Sequence, residues 1–157
     1  MSQVRILVDA DACPVKDQVY RVAFRREVPV MVVSNSRMRV PDHPLVERKL
    51  VSDAFDAADD WIAEHADAST VVVTGDILLA DRCLKAGATV IGPGGKPFTG
   101  ASIGGAIATR AIMADLRAGV GPAGGGVVGG PAPFAKADRS RFLQALDTAL
   151  ARLQRGA

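Results

Sequence analysis

Sulfur, aromatic rings, net charge and long apolar runs are all scarce in this chain, and each scarcity removes a class of protein. Only two cysteines, Cys13 and Cys83, occur among 157 residues. They lie far apart with no CxxC spacing, which leaves neither a disulfide framework nor a thiolate zinc site to expect. Cys13, close to a helix start, is either a stabilised thiolate or a small semi-buried filler, and the filler is the preferred reading. Aromatics make up 4% of the residues, too few for a base-stacking platform. No apolar run reaches the ~18 residues of a membrane span. The N-terminus shows no basic-then-apolar leader with a small-residue cleavage site, so a cytoplasmic protein without membrane contact is expected. The formal net charge is only +2. Its distribution says more: residues 1–89 carry 14 acidic against 11 basic side chains, and residues 90–157 carry three against eight. An acidic first part joined to a basic second part suits a metal-holding centre beside a surface for polyanions.

What is present is 48% hydrophobic residue, enough for the core of one compact domain. Residues 4–8 form a short β-branched and aliphatic run, read as a strand, and Pro14 then stands where a helix begins. Val15, Val19, Val22 and Ala23 recur at helical spacing, with the helix ending near Glu27. "VPVMVVSNS" is a second strand. The stretch "RMRVPDHPLVERKLV" starts irregularly, punctuated by Pro41 and Pro44. "DAFDAADDWIAEHA" is an amphipathic helix with Phe55, Ala58 and Ile62 on one side. "STVVVTGD" is a third strand, "ILLADRCLKAG" a helix closed by Gly87, and "ATVIGPGG" a fourth strand. Further on, "SIGGAIATRAIMADLRA" reads as a helix and residues 119–135 as a Gly/Pro-rich mobile loop. Residues 138–154 read as a terminal helix with Asp138 as N-cap and Phe142, Leu146, Leu150 and Leu153 as its apolar stripe.

Strands alternating with helices imply βαβ units, and continuous apolar strands imply a mostly parallel sheet with helices on both faces: an α/β domain. Ligands of such sheets gather beyond the carboxyl ends of the strands. Asp9 and Asp11, Ser34 and Asn35, and Thr74 and Asp76 all fall there. A strand-tip aspartate can simply cap the next turn, and Asp76 can cap the helix that follows it. Asp59 and Asp60 sit in mid-helix on this reading, where a solvated acidic face is the plain alternative. Carboxylates gathered at one point repel, and persist only if protonated or neutralised by a cation. Oxygen donors completed by water select Mg²⁺ or Mn²⁺.

Two enzymatic readings compete. "ILVDADAC", "VMVVSNS" and "VVVTGDILLAD" resemble the strand-end signatures of haloacid-dehalogenase-type phosphatases, in which Asp9 acts as nucleophile and Asp11 as acid/base. Cys13 is unusual for that family at its position, and Lys49 is the only lysine between Ser34 and Thr74. "DDWIAEHA" and "TVVVTGDILLA" instead resemble the helix and following strand of PIN-like metal-dependent ribonucleases, with Asp59 and Asp76 at the acidic positions.

"VDADACPVK", "FDAADDWI", "VVTGDILLAD", "GGPAPF" and "DRSRFLQALD" together resemble the YaiI/YqxD-type family of small bacterial proteins, a largely uncharacterised family assigned a PIN-like domain. The likeness covers nearly the whole chain. That family usually shows an arginine-glycine pair and later an Asn-Ile, where this chain has Gly94-Gly95 and Ser102-Ile103. The resemblance implies a single PIN-like domain over residues 1–157, with Asp9, Asp11, Asp59, Asp60 and Asp76 as the catalytic acidic cluster. Asp9, Asp59 and Asp76 would be the ligands of Mg²⁺ or Mn²⁺. Lys16, Ser34, Asn35 and Thr74 become candidate substrate-binding residues, Lys16 through its place near a helix N-terminus. The expected activity is phosphodiester hydrolysis, with RNA as the expected partner. Arg110, Arg117, Arg139 and Arg141 are candidates for tracking its backbone. A non-catalytic module that binds RNA or protein is the remaining alternative.

Overall fold

A computed structural model of the chain describes residues 3–10, 13–54, 56–105 and 136–156. Among the described residues five strands form one sheet: β1 (Arg5–Asp9), β2 (Val30–Ser34), β3 (Val46–Leu50), β4 (Thr70–Val73) and β5 (Thr89–Ile91). Helices α1 (Lys16–Arg26), α2 (Ala57–His65) and α3 (Ile77–Lys85) fill the connections. A helical segment at residues 100–105 (α4) and the long α5 (Lys136–Gly156) complete the described elements. The spatial order is β3-β2-β1-β4-β5, and every pairing within it is parallel. The expected α/β architecture holds. No helix among the described residues is long and apolar enough to cross a membrane.

Two apolar layers cover the sheet. Ile6, Val8, Val30, Val32, Val71 and Val73 pack against Val19 and Val22 of α1 and Phe142, Leu146 and Leu150 of α5. Leu7, Val33, Val72 and Val90 pack on the opposite face against Ile62 of α2 and Leu79 and Cys83 of α3. Because neighbouring strand residues point to opposite faces, a strand covered on both sides must be apolar throughout. Arg25 and Arg26 of α1 both pair with Asp147 of α5, at 2.9 and 2.7 Å, and this ties the two helices of the first layer together. Hydrogen bonding from Arg26 holds the Asp147 carboxyl below its ordinary value.

Three boundaries differ from the sequence expectation. The segment read as irregular contains β3, whose only buried residue is Val46, with Glu47, Arg48, Lys49 and Leu50 exposed. It is an edge strand, and its charges discourage pairing with another chain, which is also why it lacks the apolar signature of a strand. Helix α2 begins at Ala57, four residues after the expected start, because Asp56 adopts a left-handed conformation with φ 66°. That puts Asp59 and Asp60 in the first turn of α2, not its middle. Asp138 is not an N-cap either: α5 already runs from Lys136, and Asp138 pairs within its first turns with Arg141. The expected helix over 102–118 is described only as far as residue 105, and the Gly/Pro-rich loop at 119–135 lies outside the described residues.

Beyond β5, Gly95 takes φ +89° in the turn closed by its own N–H to the Gly92 carbonyl (2.9 Å). A β-carbon placed there would meet backbone atoms of Arg141 and Phe142 at 2.7–2.9 Å, so the turn lies directly on α5. A β-carbon on Gly94 meets nothing within 4 Å.

Candidate functional site

The strand order changes direction between β1 and β4. At such a switch the connections leaving the two strands diverge and open a crevice beyond their carboxyl ends. Since Ile6 and Val8 sink into the α1/α5 layer, Leu7 and then Asp9 face α2 and α3. Val72 faces the same way, and Thr74 follows it by two.

Asp9, only 5% exposed, accepts a hydrogen bond on Oδ2 from Thr74 Oγ1 (2.9 Å). The same hydroxyl oxygen accepts from the Asp76 N–H (3.0 Å). Thr74, fully buried, thereby ties the tip of β1 to the turn after β4. Asp76 is the N-cap of α3: its Oδ1 accepts from the N–H groups of Leu78 (2.9 Å) and Leu79 (3.2 Å). Asp59 reaches the crevice from the first turn of α2. Asp9, Asp59 and Asp76 line one cavity of about 240 Å³ together with Asn35, Asp56 and the small residues Ala54, Ala57 and Ala58. Three elements that the sequence separates widely therefore deliver carboxylates to one cleft.

The electrostatics record this convergence. The Asp59 carboxyl is pushed up to about 6, first by burial and then by the negative charges of Asp76, Asp9 and Asp56, with Arg82 opposing. A raised carboxylate pKa means that the ionised group disfavours the folded state. Its contribution is harmless below the ordinary carboxylate range near 4 and becomes a cost as pH rises through 6. Asp59→Asn is therefore expected to leave stability at pH 4 nearly unchanged. At pH 8 it should raise stability by about 1–2 kcal/mol, a figure already reduced for partial solvent screening. Thermal melts at the two pH values in EDTA measure this, and an equal effect at both would contradict it.

The remaining sequence candidates sit elsewhere. Asp60 is exposed, pairs with Arg82 at 2.9 Å and does not line the cleft. Ser34 is buried and folds its hydroxyl into its own turn, donating to the Ser36 carbonyl (2.8 Å) and accepting from the Ser36 N–H (3.1 Å). Lys16 Nζ donates to the carbonyls of Ala10 (3.0 Å) and Cys13 (2.8 Å), clamping the loop between β1 and α1. Asp11, Arg110 and Arg117 lie outside the described residues. Cys13 is buried, and burial pushes its thiol up to about 11, so it is a filler and not a reactive thiolate. Sequence reasoning missed Asp56, an acidic residue three positions before Asp59 that lines the cleft from a left-handed backbone.

Fold and site together define a single-domain α/β protein with a carboxylate-lined cleft at the switch point of a parallel sheet. Residues 7–152 match the family described as "Uncharacterized BCR, YaiI/YqxD family". The chain belongs to that family. It is 72% identical over 156 residues to a UPF0178 protein of Sphingopyxis alaskensis, covering 99% of both chains. It is also 56% identical over 155 residues to a UPF0178 protein of Nitrobacter winogradskyi, covering 99% of this chain and 96% of the relative. A UPF0178 protein of Bradyrhizobium diazoefficiens is 59% identical over 151 residues, covering 96% and 87% respectively. No solved structure matches the chain.

Proposed function

We propose that the cleft binds a hard divalent cation, Mg²⁺ or Mn²⁺, and hydrolyses phosphodiester bonds, with RNA as substrate. The observation that carries this reading is the convergence of Asp9, Asp59 and Asp76 on one cavity, where burial first and the neighbouring carboxylates second push Asp59 up to about 6. The donor set bears on the choice of ion. Among the described residues, no three His, Cys, Asp or Glu side chains close into a cage that could hold a metal by itself. The acidic and amide side chains of the cleft offer oxygen from Asp9, Asn35, Asp56, Asp59 and Asp76, with no histidine or thiol. Mg²⁺ and Mn²⁺ favour such donors, and Mg²⁺ in particular keeps several waters and needs only one or two carboxylates. An open cleft of this volume, lined in part by alanines, leaves room for those waters.

Asp9, Asp76 and Asp59 would hold the ion. When bound, it would lower the pKa of water and neutralise charge on the leaving oxygen. The chain's own residues do the rest. Thr74 orients the Asp9 carboxylate through its Oγ1 bond. Asp76 holds the first turn of α3 and presents its carboxylate at that helix's N-terminus. Asp59 brings the third carboxylate to the cleft from the first turn of α2. The PIN-like likeness of "DDWIAEHA" and "TVVVTGDILLA" supports the same assignment. The phosphatase alternative needs a lysine at the phosphate, and none lines the cleft among the described residues.

The test offers labelled single-stranded RNA and para-nitrophenyl phosphate in parallel, with Mn²⁺. Cleavage of the RNA supports the proposal. Phosphate release with the RNA left intact favours the phosphatase, and inertness toward both favours a binding module.

A further inference from the structure

A negative cleft repels a polyanion, so a nucleic-acid substrate requires a positive approach. A second cavity, of about 710 Å³, opens between the β2–β3 loop and the edge strand β3. Arg37, Arg39, Arg48 and His43 line it against a single carboxylate, Asp42. All three arginines are exposed. Arg37 and Arg39 make no ion pair among the described residues. Arg48 Nη1 donates to the Met38 carbonyl (2.7 Å), fixing the loop to the strand. The His43 ring stacks on Phe24 with centroids 4.0 Å apart. Its Nδ1 accepts from the Leu45 N–H (3.1 Å), which leaves Nε2 as the ring's donor.

Guanidinium forks match phosphate oxygens in pairs, and here three of them face a single lining carboxylate among the described residues. The groove opens on the α1 face of the sheet, where Met38 and Val40 pack, and the cleft on the α2/α3 face; the β2–β3 loop joins the two around the sheet's rim. Asn35 lines the cleft and Arg37 lines the groove, two residues apart and so within about 7 Å between their α-carbons. The only aromatic side chain of the lining, His43, is already stacked, so recognition would be of backbone and not of bases. A lipid surface calls for a basic face with exposed apolar anchors, and the apolar side chains of this lining, Met38, Val40, Pro41 and Val46, are half-buried or buried.

We propose that the arginine groove between the β2–β3 loop and β3 is the track along which a nucleic-acid phosphodiester backbone enters the carboxylate cleft. Its direction rests on the hydrolytic reading of the cleft, but binding in the groove does not. The test is fluorescence anisotropy of a short labelled single-stranded RNA in EDTA, where hydrolysis is switched off. Arg37→Gln/Arg39→Gln is compared with wild type and with Arg21→Gln/Arg155→Gln, which removes two exposed arginines elsewhere; matching thermal midpoints check folding. The groove variant should bind about tenfold more weakly at low salt. Its log–log salt dependence should be shallower by about 1.4, the release expected for two single-strand phosphate contacts. The control should match wild type. Equal affinity and slope in the groove variant, equal losses in the control, no binding by wild type, or preferential binding to phosphatidylserine vesicles would each overturn the proposal. Binding that depends on the groove in a protein inert toward RNA with Mn²⁺ would uphold the groove and remove only the hydrolytic reading. RNA cleavage with an unchanged groove variant would do the reverse.

Discussion

Replacing Asp9 by Asn is expected to lower RNA hydrolysis in Mn²⁺ by about 10²–10³-fold while leaving the fold intact. The substitution is close to isosteric, and the amide oxygen can still accept the hydrogen bond that Thr74 Oγ1 gives to Oδ2. What disappears is one buried negative charge at the end of β1. Since Asp9 is among the charges that raise Asp59, the Asp59 carboxyl should also move down toward its ordinary value. A rate assay on a variant with wild-type melting behaviour measures the loss. Unchanged turnover would remove Asp9 from the chemistry.

Gly95→Ala should destabilise the protein by about 3 kcal/mol, lowering the thermal midpoint by roughly 6–12 °C. Two costs add. The φ of +89° is one that residues with a β-carbon rarely adopt, and the new carbon would lie under 3.0 Å from backbone of α5 that cannot swing aside. Moving α5 away is no remedy, because Phe142, Leu146 and Leu150 are fully buried beneath it. Gly94→Ala, one residue earlier and facing open space, should change stability by less than about 0.5 kcal/mol. Similar melting of the two variants would contradict the contact between this turn and α5.

The contrast between those glycines shows what the sequence conceals: both read alike in "GPGGKP", and only the packing of α5 separates them. Strands β1, β2, β4 and β5 were readable because burial on both faces demands unbroken apolar runs. The edge strand β3 was not, because one paired side and charged residues erase that signal. Asp9, Asn35 and Asp76 could be placed because strand ends in a parallel sheet share one rim. Helical spacing alone could not separate Asp59 from Asp60, and only the PIN-like resemblance singled out Asp59; neighbours on a helix point about 100° from each other, and the start of α2, set by Asp56, decides which faces inward. The arginine groove was invisible for another reason. Arg37 and Arg39 belong to a loop and Arg48 to a strand not expected from the sequence, so their meeting exists only in the fold.

The central claim is that the carboxylates of three elements act as one cation site. Electron paramagnetic resonance of free Mn²⁺, titrated into the protein, tests it without any substrate. The account predicts that wild-type protein takes up the ion, that uptake weakens as pH falls below about 6 where Asp59 gains its proton, and that Asp9→Asn weakens it by at least about tenfold. Uptake that ignores both pH and the substitution, or no uptake at all, would contradict it.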